Sequence, residues 1–156
     1  LFFTTGSGDV GLFFTVSMAA MIAVRAAGAP LFDRMDKLLA VRAALGFLVP
    51  CILLMPYAAS PAACGILAAV YGICMGVILP LLNALLFSAS PPALRALNTN
   101  MTLFTMDMAY FLTPYLGGTL IALGGGFDVL FFIAAGIVAL ALSSSMALAR
   151  GGGKKL

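Results

Sequence analysis

Apolar residues run along this chain in five long blocks, at about residues 11–32, 38–59, 62–87, 98–123 and 127–149, with short polar connections between them. Each block reaches the ~20 residues that a helix rising ~1.5 Å per residue needs to cross ~30 Å of hydrocarbon. None is as short as the roughly 7–15-residue core of a cleavable signal peptide. Period-2 alternation is absent, so the pattern does not support a β-barrel. The helix is then the remaining way to pair every backbone N–H and C=O in lipid. The expected fold is an all-α membrane protein with five transmembrane helices.

Breakers refine this picture. Residues 1–10 read as the end of a preceding helix entering an outer loop, with Gly6, Ser7 and Gly8 interrupting it. Pro50 and Pro56 should bend the second helix or end it near the outer surface. Gly72 and Gly76 form a small-xxx-small pair on the third helix, which lets two backbones approach closely. Ser88-Ala89-Ser90-Pro91-Pro92 stops that helix. The fourth helix is the most polar of the five. The fifth is plain apart from Gly136 and the Ser143-Ser144-Ser145 run, and a flexible basic tail with Lys154 and Lys155 follows.

Charge adds a direction. The connections after the first, third and fifth blocks hold Arg34, Lys37 and Arg42, then Arg95, then Arg150, Lys154 and Lys155; the other connections hold no cation. Arg25 lies inside the first block, nearer its basic end. Helices that cross a bilayer back and forth under the positive-inside rule produce this alternation. It implies a multi-pass protein of the cell (inner or plasma) membrane, with its N-terminus outside and its C-terminus in the cytoplasm. Of all residues, 63% are hydrophobic and 8% charged, with mean hydropathy +1.18, so a soluble domain is excluded. The net charge of +3 sits at helix ends and forms no basic face, which argues for lipid headgroups and against nucleic acid as partner.

Little catalytic chemistry remains. The chain has no His and no Glu. Its three cysteines, Cys51, Cys64 and Cys74, lie within apolar blocks without CxxC spacing and read as packing residues. An intramembrane aspartyl protease needs two carboxylates, and only Asp107 lies within the membrane. No enzyme activity, metal or cofactor is expected.

Asp107 is the leading functional candidate, because a carboxylate near the bilayer centre costs several kcal/mol unless it faces a polar cavity or partner. At 100° per residue it shares a face with Asn100, Leu103, Tyr110, Pro114 and Gly118. That face should point into the protein, where Asp107, Tyr110 and Asn100 could couple proton and substrate movement. A purely structural role for Asp107 is the competing reading. Arg25, Asp33 and Arg34 read either as a charged turn or as an inter-helix latch at a cytoplasmic gate; a latch needs partial burial, because exposed ion pairs are weak. Asn83 is a lesser candidate, read as an amide that bridges helices.

Three motifs resemble those of the major facilitator superfamily of transporters. Arg25-Ala-Ala-Gly28-Ala-Pro-Leu-Phe-Asp33-Arg34 is similar to its R-x-x-x-G-x-x-x-D-R cassette, with Ala29 at the glycine position and Gly28 one place early. Tyr71-Gly72-Ile-Cys-Met-Gly76-Val-Ile-Leu-Pro80-Leu-Leu-Asn83 looks like the family's tenth helix. Asp107, Ala109, Thr113, Pro114, Gly117 and Gly118 fit a D-x-G-x-x-x-G-P-x-x-G-G pattern of its eleventh helix, with Ala109 and Thr113 replacing two glycines. Arg95 occupies the often basic loop before that helix. Within the superfamily the pattern is similar to that of drug and sugar efflux permeases.

The resemblance implies that residues 1–156 are a C-terminal half-domain fragment, the eighth to twelfth helices of a twelve-helix bundle. The start at Leu1 and the odd number of spans agree with that expectation. It further implies transport of a small solute by alternating access, proton-coupled and of the efflux type. The partners would be the lipid bilayer, the N-terminal half of the same transporter and a small-molecule substrate. Arg25, Asp33, Arg34 and Arg95 would form cytoplasmic gate cassettes, and Gly72, Gly76, Pro80, Pro114, Gly117 and Gly118 would serve packing and hinges. The alternative is a stand-alone five-helix membrane scaffold or assembly protein.

Overall fold

The computed structural model describes residues 9–32, 34–58 and 60–152. The described residues form five long α-helices and no strand: α1 (Asp9–Phe32), α2 (Lys37–Leu54), α3 (Pro61–Ala89), α4 (Arg95–Ala122) and α5 (Phe127–Gly152). Residues 1–8 and the tail with Lys154 and Lys155 lie outside them.

Local chemistry sets the ends. The Asp36 carboxylate accepts the backbone N–H groups of Leu38 and Leu39 at 3.0 and 3.2 Å and starts α2, supplying acceptors that the first turn lacks. α2 runs through Pro50 and gives way to a single 3₁₀ turn at Met55–Tyr57, around Pro56. Ser60 caps α3 by accepting the Ala63 N–H, with Pro61 at the first helical position. α4 closes on Gly124, whose φ of +88° is the left-handed conformation that glycine adopts without strain. Gly125 N–H then reaches the Leu120 carbonyl and Gly124 N–H the Ile121 carbonyl, both at 3.0 Å, the paired bonds of a Schellman ending.

α3 packs on both α1 and α2, and α2 also packs on α5. Ser17 of α1 meets Gly72 of α3, and Met21 meets Gly76, so the two helices run parallel in register. A Cβ on Gly72 would run into the Ser17 carbonyl; one on Gly76 would sit 3.2 Å from the Met21 carbonyl oxygen and from the Val24 Cβ. Absent side chains are what let these backbones approach. α2 runs antiparallel to both its neighbours. Its Cys51 thiol donates to the Leu67 carbonyl of α3 at 3.4 Å, and its Arg42 reaches Ser145 of α5. Ala44, Leu48 and Ile52 of α2, Cys74 and Ile78 of α3 and Ala135 of α5 make one apolar cluster. Val41 and Leu81, both 2% exposed, anchor a second near the α1–α2 turn.

This zigzag brings the inner ends of α1 and α3, the start of α2 and the far end of α5 to one end of the bundle, which gathers Arg34, Lys37, Arg42 and Arg95 there. Four helices are long and apolar enough to cross a membrane: α1, α2, α3 and α5. Of the five expected spans, four of the described helices meet this measure of length and apolarity. α4 has the length, at 28 residues, but Asn98, Thr99, Asn100, Thr102, Thr105, Asp107, Tyr110 and Thr113 dilute its apolar character. It is also the one described helix of α2, α3 and α4 with no buried residue, and it meets α3 and α5 only sparingly.

Replacing Gly72 with Val is expected to lower the unfolding free energy in detergent micelles by about 1–3 kcal/mol or more, because the clash is with backbone that cannot swing aside. Gly46→Val, on α2 with open space around it, should stay within about 0.5 kcal/mol of the parent. Equilibrium unfolding followed by circular dichroism checks the pair; equal losses would show that the α1–α3 approach is not what Gly72 protects.

Candidate functional site

The polar stripe of α4 faces away from the other helices. Asn100 and Asp107 are exposed, Tyr110 is 78% exposed, and Pro114 and Gly118 share that exposure. The inward orientation expected for this face is therefore not met within the chain, because α3 and α5 touch α4 elsewhere. Gly117 faces α5, where a Cβ would lie 3.8 Å from the Leu130 methyls, and Gly118 has open space. Between α4 and α5 lies an apolar groove of about 500 Å³, lined by residues including Thr113, Leu120, Phe131 and Ile137.

The threonines of α4 settle their own hydroxyls. Thr99, Thr102, Thr105 and Thr113 each donate to the carbonyl four residues back, at 2.6–3.0 Å, and Thr119 to the one three back. Such back-bonding makes a threonine compatible with an apolar surround. Asn100 and Asp107 have no comparable route, since both carry more hydrogen-bonding capacity than one local carbonyl can satisfy. They are two side chains on α4 that call for an outside partner.

At the α3–α4 corner the structure assembles a tight polar knot. Ser90, 5% exposed, donates from Oγ to the Leu86 carbonyl at 2.6 Å and accepts from Asn98 Nδ2 at 2.7 Å. Arg95 Nε donates to the Ser90 carbonyl at 3.3 Å, and its guanidinium stacks 4.4 Å over the Phe87 ring. Arg95 thus braces this turn. Of the other residues expected at a gate, Arg34 is exposed in the α1–α2 turn, and Asp33 lies outside the described residues.

Arg42 is engaged within the bundle. Its guanidinium donates to the Ser145 backbone carbonyl on α5 at 2.6 Å, across 103 residues of sequence, while its Nε is buried with no partner among the described residues. Sequence reasoning treated Arg42 as a topology charge only. Its place, one and a half turns into α2, was the available signal that it lies deeper than Arg34 or Lys37. Ser143, Ser144 and Ser145 each donate to the carbonyl three residues back, which leaves the Ser145 carbonyl to receive Arg42.

Two residues read separately in the sequence come together. Arg25 of α1 and Asn83 of α3 line one cavity of about 320 Å³, with Phe32, Leu79 and Pro80. Gly28 opens room for the Phe32 ring, since a Cβ there would come within 2.7 Å of it. On the other flank of α1's inner end, an apolar cavity of about 460 Å³ runs between α1 and α2 over α3.

Among the described residues no three His, Cys, Asp or Glu side chains gather where a metal could be held. Cys51, Cys64 and Cys74 are buried and form no disulfide. Comparison of the chain with protein-family models, curated proteins and solved structures finds no match. The transporter resemblance therefore rests on the motifs alone.

Arg42→Met is expected to lower stability by about 1–3 kcal/mol, the cost of losing a partly buried charge-assisted bond. Ser145→Ala should change it by less than about 0.5 kcal/mol, because the acceptor is backbone. Detergent unfolding of both variants checks this; a Ser145→Ala loss matching that of Arg42→Met would show that the hydroxyl matters instead.

Proposed function

We propose that this chain is the C-terminal part of a secondary transporter that moves a small solute across the membrane by alternating access. Coupling is to protons, transport is of the efflux type, and the N-terminal half of the same protein supplies the opposing surface. α1, α2, α3 and α5 span the bilayer, and α4 crosses beside them as a fifth helix whose polar face the missing half covers. The basic end of the bundle is cytoplasmic, in keeping with the positive-inside rule.

The observation that carries this reading is the uncovered stripe on α4. Asp107, Asn100 and Tyr110 stand exposed on a helix with no buried residue, inside a chain whose other helices are apolar enough for lipid. Hydrocarbon would not tolerate that stripe. A second bundle across a polar solute path would, and such midplane paths lie at the interface between the two halves of transporters of this kind. Asp107 is the carboxylate placed to carry the proton, with Tyr110 one turn further along the same face and Asn100 two turns before it. The sequence motifs around Arg25, Gly72 and Asp107 support the same assignment.

In the complete protein, Asp107→Asn keeps the side chain's shape and removes the exchangeable charge. The expected result is insertion and folding as in the parent, with pH-gradient-driven flux in proteoliposomes reduced to the level of empty vesicles. Gradient-driven flux equal to the parent's would sink the coupling role. Loss of flux equally in Thr105→Val, a hydroxyl already satisfied by the Met101 carbonyl, would point to general damage to α4 instead.

A further inference from the structure

We infer that the cavity between α1 and α3 is a binding site for an anionic oxygen group, a carboxylate or a phosphate, carried on an apolar chain. This inference does not depend on the transport reading.

Three of the bundle's arginines can be compared directly. Arg42 spends its guanidinium on the Ser145 carbonyl, and Arg95 spends its own on the Ser90 carbonyl and the Phe87 ring. Arg25, exposed like Asn83, instead lines an open cavity of about 320 Å³ in which the Asn83 amide is the only other polar side chain among the described residues. No acidic side chain among the described residues lines it. Arg25 lies seven residues before the end of α1 and Asn83 six before the end of α3. At ~1.5 Å per residue both sit about 10 Å in from the basic end of the bundle. Because α1 and α3 run parallel in register at Ser17–Gly72 and Met21–Gly76, Arg25 stands level with Pro80, and Asn83 lies about one turn nearer the basic end, within reach of the same cavity.

With no acidic side chain from the described residues lining the cavity, a guanidinium at that depth is stabilised by an added counter-charge. Its planar fork of N–H donors matches two oxygens of a carboxylate or phosphate. The Asn83 NH₂ adds a further donor from the opposite wall. Phe32, Leu79 and Pro80 supply apolar walls, which favour an anion that continues into a hydrocarbon chain over a small hydrated ion. Two sources carry this chemistry: a free amphiphilic carboxylate and the phosphate of an anionic lipid.

The test uses the protein in phosphatidylcholine nanodiscs with a photoreactive dodecanoate, its attachment mapped by mass spectrometry and competed with plain dodecanoate. Saturable labelling is expected on the peptides that contain Phe32 and Leu79. Arg25→Gln should weaken competition about tenfold or more, Arg25→Lys should weaken it less, and Lys37→Gln, a charge at the same end outside the cavity, should leave it unchanged. Circular dichroism checks that each variant is folded. Adding phosphatidylglycerol separates the sources: suppressed labelling assigns the site to a lipid headgroup, and unchanged labelling assigns it to the free carboxylate. Labelling that is not saturable, that is indifferent to Arg25→Gln, or that falls equally in Lys37→Gln would overturn the assignment.

Discussion

The close approach of α1 to α3 at Gly72 and Gly76 sets where every other helix can stand. Between apolar helices in lipid there is no hydrophobic gain from association, so contact energy comes from van der Waals packing, and it grows as backbones come nearer. Two glycines one turn apart bring the Ser17 and Met21 backbones onto α3. With one face of α3 occupied by α1, its next face receives α2 through Cys74, Ile78 and Leu81. α2 then presents Ala44, Leu48 and Ile52 to Ala135 of α5. The row α1–α3–α2–α5 follows from that first contact, and it leaves α4 on the outside.

α4's position gives the polar groups of the chain two different fates. Where a local acceptor exists, the residue closes on its own backbone, as five threonines of α4 and the three serines of α5 do. Where a group is too large or charged for that, it is either locked across elements or left facing outward. Arg42, Arg95 and Asn98 are locked, to Ser145 and Ser90. Asn100, Asp107 and Tyr110 face outward, and Arg25, also exposed, lines the open cavity between α1 and α3. Because an unmatched polar group in an apolar surround costs free energy, the outward set marks the surfaces on which the proposed function and the proposed anion site rest. The two surfaces differ in character: a polar stripe on α4, and an apolar-walled cavity with a single cation between α1 and α3.

The architecture was largely legible in the sequence because its signals are local. Block length gives helices, and the breakers at Pro56 and Ser88–Pro92 end α2 and α3 within a few residues of where their blocks end. The site was less legible. Helical geometry correctly grouped Asn100, Asp107 and Tyr110 on one face, since that follows from 100° per residue. It could not say which neighbour that face would meet, and among the described residues α4 is the helix the others leave uncovered. Arg95 and Arg42 illustrate the same gap. Arg42 read as a topology charge and Arg95 as a topology charge or gate residue, yet their hydrogen bonds go to carbonyls whose nearness depends on a corner and on an α2–α5 contact.

The sequence by itself determined that this is a helical, membrane-compatible chain whose cations collect at one end, because hydropathy, length and charge alternation are properties of the residues in order. Only the tertiary structure decided that α1 and α3 lie side by side in parallel, that Arg25 and Asn83 share a cavity, and that Asp107 stands outside the bundle. The physical reason is that lateral order among helices rests on non-local packing. Ser17 opposite Gly72 lies 55 positions away in the chain, and no periodicity within either helix encodes that meeting.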